Sequence, residues 1–271
     1  MNIQKLMQSE TSPESMEELE KNLLDLDSEF RFKCRRCGKC CKNQDTILFN
    51  TRDIYNIAHK LGKTMLNVVD EVAEVYIGNN SRIPIVHMVP TGPSRSCPLL
   101  KDGRCSVHDC KPTVCALFPL GRVAVTVKKA DGTVDPHNFK IRYVLNDFNC
   151  GSAKRVNTVR SWLEQFGIPE HDEFFILWNE VIMESGELVR FLEKQRAPAL
   201  LLQLIWNFQI NLLYLQYDTS LDFFPQFQEN ARKLISFSKD TCERLTNDQD
   251  GIAKMMSALE ATPHGQINSA R

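Results

Sequence analysis

Cysteines dominate the side chains of this sequence that could carry out chemistry. The chain has 271 residues and 10 cysteines. One group has the spacing Cys34-x-x-Cys37-x-x-Cys40-Cys41, and Gly38 provides the backbone freedom that such a tight loop needs. Two cysteines separated by two residues are typical of zinc sites, whereas a third at the same interval is typical of bacterial ferredoxins. The spacing therefore predicts a metal or iron–sulfur site.

A second group of cysteines lies further along the chain. Its spacing is Cys97-x7-Cys105-x4-Cys110-x4-Cys115, with His108 inside it. A remote Cys-Pro often supplies a further ligand to an iron–sulfur cubane, and Cys97 is followed by a proline. The glycine and prolines around this group predict irregular turns that are held together by a metal rather than by a core. His108 is a candidate ligand, or a donor to a thiolate.

The adjacent pair Cys40 and Cys41 is hard to fit on one metal ion, because neighbouring side chains tend to diverge. It favours two sites, a bridged cluster, or one ligand beside a redox-active thiol. A purely architectural zinc ion is the alternative, since zinc alone can fold a small irregular module. We therefore expect an iron–sulfur cluster, of the 4Fe–4S type, or zinc.

Composition and charge indicate the cellular compartment and the classes of binding partner. The N-terminal residues have no apolar run of signal-peptide length, so we expect a cytoplasmic, reducing environment, where clustered cysteines bind metal more often than they form disulfides. The net charge of -1 and the pI of about 6.6 argue against nucleic-acid binding. Residues 31–42 carry six basic residues and no acid, which would offset the charge of a thiolate-bound centre. The expected partners are a metal ion and a redox or protein partner.

Hydrophobic periodicity predicts an α+β protein that is mostly helical, with an irregular cysteine-rich metal-bound module and a β-hairpin followed by a helical bundle. The predicted divisions are an N-terminal acidic helix over residues 1–29, running from about Pro13 to Leu26, a cysteine-cluster domain over 30–152, a helical bundle over 153–262 and a disordered tail over 263–271. Within them we predict helices from Thr51 to Gly62 and around Met65 to Val75, a strand over Ile83–Val89, and a hairpin between Val123 and Leu145.

The longest apolar stretch runs from Ala199 to Tyr217 and has the length of a membrane span. Gln203, Asn207 and Asn211 are spaced four residues apart within it, so a helix carries these amides on one face. Lipid would leave the amides without hydrogen-bond partners. The stretch therefore predicts a buried helix of a soluble bundle, and no membrane contact.

Three motifs together resemble a known family. They are Cys34-Arg-Arg-Cys37-Gly-Lys-Cys40-Cys41, then Cys97-Pro-Leu-Leu with Gly103-Arg-Cys105, and Lys111-Pro-Thr-Val-Cys115-Ala-Leu-Phe-Pro119. The chain is similar, over about residues 30–152, to the YkgJ-type CxxCxxCC cysteine-cluster proteins, which are described as a putative zinc- or iron-chelating domain. The resemblance implies that the metal ligands are Cys34, Cys37, Cys40, Cys41, Cys97, Cys105 and Cys115, with Cys150 in addition. Lys111 and Ala116 stand where the family generally has arginine, and Cys110 is extra.

The leading hypothesis is a protein that binds a metal or an iron–sulfur cluster through clustered thiolates, for chelation or electron transfer. An alternative is an enzyme that uses the cluster, such as a redox enzyme or a protein lysine methyltransferase-like one, because a related cysteine cluster occurs in flagellin lysine methylases. A structural-zinc interaction module is the third possibility.

Overall fold

The computed structural model describes residues 22–42, 47–128 and 134–248, together with positions 251, 252, 254 and 257. Its helices are α1 (Thr51–Leu61), α2 (Met65–Val72), α3 (Thr113–Leu117), α4 (Val159–Gln165), α5 (Glu173–Lys194), α6 (Ala199–Ile210) and α7 (Phe223–Asn247). A single 3₁₀ turn covers Lys39–Cys41, and a π-helical turn covers Asn211–Leu215. The fold is α+β and mostly helical, as predicted.

The strands form several small antiparallel sheets. They are β1 (Glu29–Lys33), β2 (Leu48–Phe49), β3 (Ala73–Ile77), β4 (Pro84–Met88), β5 (Leu100–Lys101), β6 (Arg104–Cys105), β7 (Leu120–Lys128), β8 (Val134–Leu145) and β9 (Ser152–Thr158). Strand β1 pairs with β9, β5 with β6 and β7 with β8, while β4 lies between β2 and β3. The β7–β8 pair is the predicted hairpin.

Helix α1 begins and ends where the sequence predicts. The Asn50 side chain accepts from the Asp53 backbone N–H at 2.9 Å, and Asp53 accepts from the Asn50 N–H at 3.1 Å. This reciprocal pair is a capping box. At the other end Gly62 adopts a left-handed φ of 62°, a conformation that costs glycine little. Local sequence chemistry therefore determines both boundaries.

The second predicted helix ends earlier than expected. Helix α2 stops at Val72, and Val75 belongs to β3, where it pairs with Val86 of β4. The extension of this helix to Val75 was wrong because β-branched residues after Val72 pair with β4 instead of continuing the turn. The strand predicted over Ile83–Val89 is β4.

The helical region also begins later than predicted. Residues 152–158 form β9, and helix starts only at α4, where Thr158 and Ser161 make a capping box. Most side chains of β9 are exposed, so no apolar alternation marks it in the sequence. Its pairing with β1 holds it, together with the buried Asn157 side chain, which donates to the Phe32 carbonyl at 2.8 Å.

Most of the predicted acidic helix, residues 1–21, lies outside the described residues, as does the predicted tail over 263–271. The part of that segment which the structure describes, residues 22–28, is not helical. Leu24 instead pairs with Tyr143 of β8: the Leu24 N–H donates at 2.7 Å and the Leu24 carbonyl accepts at 3.1 Å.

The largest core cluster joins the cysteine-rich region to the helical region. Ile57 of α1 and Val86 of β4 are fully buried in the same cluster as Val181 of α5, Tyr214 of the π-helical turn and Phe227 of α7. The β1–β9 pair also joins the two predicted divisions, because β1 lies before their boundary at residue 152 and most of β9 lies after it. Apolar packing thus connects the two predicted divisions.

A buried ion pair supports this packing. Asp172, which precedes α5, accepts from Arg52 at 3.0 and 2.8 Å and from Arg122 at 2.8 Å. Burial alone would raise the pKa of Asp172, but the two guanidinium groups outweigh it and lower the pKa below its ordinary value. The guanidinium of Arg52 also lies 4.4 Å from the ring centroid of Phe174. Asp172 therefore links α1, β7 and the start of α5.

Helix α6 contains most of the long apolar stretch. Leu201, Ile205 and Gln209 are buried, whereas Gln203 and Asn207 lie on its exposed face. Among the residues that the structure describes, no helix is both long enough and apolar enough to cross a bilayer.

Candidate metal centre

The first cysteine group lies in the loop that follows β1. After Lys33, Arg36 and Gly38 adopt left-handed φ angles of 52° and 68°. A Cβ on Gly38 would lie 3.4 Å from the Gly103 carbonyl oxygen, so this part of the loop rests on the β5–β6 turn. The Cys41 N–H donates to the Gly38 carbonyl at 3.0 Å. These turns gather Cys34, Cys37, Cys40 and Cys41 in one short loop.

A backbone pairing joins that loop to the second cysteine group. The Cys97 N–H donates to the Cys41 carbonyl at 2.8 Å, and Lys42 forms an antiparallel bridge with Ser96. These main-chain contacts make Cys41 and Cys97 neighbours.

The β5–β6 hairpin carries Cys105 back towards Cys97. Asp102 and Gly103 have φ angles of 49° and 72°, as a two-residue type I′ turn requires. Leu100 pairs with Cys105, and the Leu100 N–H donates to the Cys97 carbonyl at 2.9 Å.

Helix α3 carries Cys115, and a buried carboxylate of α1 holds its first residue. Asp53 accepts from the Thr113 backbone N–H at 2.8 Å and from the Thr113 hydroxyl at 2.7 Å. Burial raises the pKa of Asp53, although these hydrogen bonds oppose the shift. Burial, followed by repulsion from Cys97 and Asp53, raises the pKa of Cys115. The cap of α1 is therefore coupled to the position of this thiol.

Cys150 reaches the first loop through the β1–β9 pair. Lys33 at the end of β1 pairs with Ser152 at the start of β9, so the residues just beyond them lie at the same end of the ladder. Gly151 makes this approach possible: a Cβ there would lie 2.5 Å from the Phe32 ring and 2.8 Å from the Lys33 carbonyl oxygen. The pKa of Cys150 is raised to about 11 by burial and then by the charges of Cys40, Cys37 and Cys34.

Thiols of both cysteine groups interact electrostatically with Cys40. A hydrogen bond from the Cys41 side chain lowers the pKa of Cys40 to about 6, with burial opposing and Lys111 assisting. The same hydrogen bond is the main cause of the raised pKa of Cys41. Burial, and then repulsion that includes Cys40, raises the pKa of thiols on the other segments, namely Cys97, Cys105, Cys115 and Cys150. Thiols from distant parts of the sequence therefore share one neighbourhood.

The adjacent pair lies in the 3₁₀ turn over Lys39–Cys41. Interaction with the Cys41 side chain lowers the pKa of Cys40, so the two thiols lie close to each other. Their assignment to one centre or to two stays a prediction.

Cys110 and His108 lie at the edge of this neighbourhood. Cys110 packs against the largest core cluster, and burial, Asp109 and Cys105 raise its pKa. Burial and the positive charges of Lys111 and Arg36 lower the pKa of His108. The charges that act on His108 thus come from Lys111, Arg36 and Asp109 rather than from thiols.

The donor set fits a thiolate-ligated metal, but the side chains are not in a finished coordination geometry. All ten cysteines are free thiols. Among the described residues, no three Cys, His, Asp or Glu side chains converge closely enough to hold a metal ion as they stand. The main chain nevertheless brings the candidate thiols of separate segments into one region.

Two residues that position the candidate ligands could not be found from the sequence. The Asn50-Thr-Arg-Asp53 pattern predicts a capping box at the start of α1, but it contains no signal for the contact of Asp53 with Thr113. Gly151 stands beside Cys150 in the sequence, and its close approach to Phe32 depends on the β1–β9 pairing.

Comparison with known proteins supports the metal-binding chemistry of this region. No curated protein and no solved structure matches the chain. Cys34, Cys37, Cys40, Cys41, Cys97, Cys105 and Cys115 lie within the segment that a family model matches, whereas Cys150 lies beyond it. That segment, residues 33–137, matches the CxxCxxCC family, described as a putative zinc- or iron-chelating domain, as the resemblance in the sequence predicts.

Proposed function

We propose that the protein binds an iron–sulfur cluster of the 4Fe–4S type through clustered thiolates and uses it for electron transfer. The observation that carries this proposal is the convergence of separate cysteine segments through main-chain contacts. The Cys97 N–H donates to the Cys41 carbonyl, Leu100 pairs with Cys105, and Lys33 pairs with Ser152 beside Cys150.

The spacing of the thiols favours a cluster over one zinc ion. A structural zinc ion takes four ligands, and its thiolates are commonly arranged in pairs. A 4Fe–4S cluster also takes four thiolates, but a Cys-x-x-Cys-x-x-Cys loop with a remote Cys-Pro is the ferredoxin arrangement. Cys34, Cys37, Cys40 and Cys97 have this spacing.

The proposed ligands come from the set Cys34, Cys37, Cys40, Cys41, Cys97, Cys105, Cys115 and Cys150. A 4Fe–4S cluster takes only part of this set, so the remaining thiols belong to a second centre or stay free. Lys111 contributes positive charge near Cys40, Cys105 and Cys115, which favours thiolates over thiols.

When bound, such a cluster supplies one-electron chemistry. The residues of this chain determine its access to solvent. Cys34, Cys37 and Cys40 are exposed, whereas Cys97, Cys105 and Cys115 are partly covered. The face that carries the first loop is therefore the side on which a redox or protein partner would approach.

Anaerobic purification with measurement of iron, acid-labile sulfide and zinc tests this proposal. We expect equal amounts of iron and sulfide, and broad visible absorption that dithionite bleaches. Colourless protein with stoichiometric zinc would support an architectural zinc site instead. Absence of both metals, with all thiols titrating freely, would contradict metal binding altogether.

A further inference from the structure

A cavity beside the thiols has a lining that differs from that of a metal site. This cavity of about 330 Å³ opens next to the second cysteine group. Its lining includes Arg36, His108, Lys111, Ala116, Gln165 and Phe166. Its volume is at the small end of the range for sites that bind small molecules.

Positive charge dominates the polar lining of this cavity. In the part of the chain that the structure describes, neither Arg36 nor Lys111 forms an ion pair with a carboxylate. The acid in the lining, Asp109, is already bonded to Lys60. Arg36 and Lys111 thus line a cavity whose acidic residue is already paired with Lys60.

One wall of the cavity is aromatic and holds a cation in place. The Lys111 ammonium lies 4.1 Å from the ring centroid of Phe166, a cation–π contact that restricts its position. Trp162 packs edge-on against the same ring, with 5.3 Å between the ring centroids. This contact restricts the movement of the Phe166 ring. The charge is therefore held at the wall and not on a freely moving side chain.

We propose that this cavity binds a small molecule that carries an oxyanion, either a phosphate or a carboxylate, between Arg36 and Lys111. Arg36 lies between Cys34 and Cys37 in the first loop. The charge of Lys111 acts on Cys40, Cys105 and Cys115. The bound anion would therefore lie beside the metal centre. This inference goes beyond metal binding and does not depend on which metal is present.

The competing explanation is that both cations serve only to neutralise the thiolates. In that case the cavity would bind no anion, and loss of either charge would affect only metal retention. Binding and metal content must therefore be measured on the same samples.

Calorimetric titration of the purified protein at constant ionic strength separates the two explanations. The probes are inorganic phosphate and benzoate, and metal content is quantified in each sample. We expect saturable binding of one equivalent of at least one probe. Loss of one charge–anion contact in Lys111→Met or Arg36→Gln should weaken it by about tenfold or more. The probe that binds identifies the source of the oxyanion.

Three further variants serve as controls. Arg35→Gln removes the same charge from the same loop outside the cavity and should leave binding unchanged. Lys111→Arg keeps the charge and should retain binding, whereas Gln165→Trp should block the cavity from its exposed rim without a change of charge. Absence of saturable binding in the unmodified protein, or equal weakening in Arg35→Gln, would overturn the proposal.

Discussion

The carboxylate of Asp53 accepts two hydrogen bonds from Thr113, one from the backbone at 2.8 Å and one from the hydroxyl at 2.7 Å. The same carboxylate caps its own helix through Asn50. One buried group therefore satisfies the first turns of two helices and sets the position of Cys115 relative to α1.

We expect Asp53→Ala to lower the free energy of unfolding by about 2–4 kcal/mol. The variant loses a helix cap and leaves the partly buried Thr113 N–H without its side-chain partner. Urea denaturation followed by circular dichroism measures the loss. Metal affinity should fall as well, because Cys115 is no longer held in place.

Asp70→Ala is the matched control, since Asp70 is an exposed residue of α2. It should change the free energy of unfolding by less than about 0.5 kcal/mol. Equal effects in the two variants would contradict the role that we assign to Asp53.

Gly151→Ala tests the junction that brings Cys150 to the first loop. The new Cβ would meet Phe32 and the Lys33 carbonyl at distances that real Cβ atoms do not adopt. Gly62→Ala is the control, because Gly62 also has a positive φ but has nothing within 4 Å of the added Cβ. Both variants carry a backbone cost of about 1–2 kcal/mol, and Gly151→Ala should lose about 1–3 kcal/mol more through overpacking. Urea denaturation measures the free energy of unfolding of both variants. An equal loss in the two would show that the chain relieves the clash at Gly151 without a free-energy cost.

The ion pairs of Asp172 should make the free energy of unfolding depend on pH. Because the pKa of Asp172 is lowered in the folded state, its stabilisation is fully present above the unfolded value of about 3.9 and is lost as pH falls through the folded pKa. We expect Asp172→Asn to cost about 3 kcal/mol or more at pH 7, since Arg122 is left buried without a charged partner. The difference between wild type and variant should shrink as the pH falls from about 5 to 2.

Asp25→Asn removes an exposed partner of Arg142 and serves as the control for that experiment. Its cost should stay within about 1 kcal/mol at neutral pH. Urea titrations at a series of pH values compare the three proteins. A difference between wild type and Asp172→Asn that stays constant with pH would contradict the argument.

Cysteine replacements test the ligand set. Cys115→Ser should lose most of the bound metal, because serine is a poor substitute for a thiolate. Cys242→Ser should retain it, since Cys242 packs against a separate hydrophobic cluster in the helical region. Cys110→Ser should also retain it if this thiol is only part of the core. Metal quantification by mass spectrometry checks all three, and loss of metal in Cys110→Ser would make Cys110 a ligand.

Removal of the metal should destabilise the cysteine-rich segments more than the helical core. Metal binding contributes to the folding of irregular modules, whereas α5 and α7 are held by buried apolar side chains such as Val181 and Phe227. We expect a chelator to increase hydrogen exchange at residues 34–41 and 97–115 while α5 and α7 stay protected. Uniform deprotection, or no change at all, would contradict this prediction.

Short-range features of the fold could be predicted from the sequence because their causes are local. Helix α1 begins at a capping box and ends at Gly62, and the β7–β8 hairpin follows from alternating apolar residues. Strand β9 could not be predicted, since its side chains are mostly exposed and its partner β1 lies more than a hundred residues earlier. A strand that is specified by its partner leaves no periodic pattern in its own residues.

The sequence by itself determined the candidate metal ligands, because the spacing of Cys34, Cys37, Cys40 and Cys41 is a local property of one loop. Only the tertiary structure decided how the separate cysteine segments meet. The approach of Cys150 depends on the β1–β9 pair, that of Cys115 depends on Asp53, and the cavity beside Lys111 depends on Phe166 of another segment. Such contacts arise from packing between residues that are remote along the chain, and spacing within one segment carries no information about them.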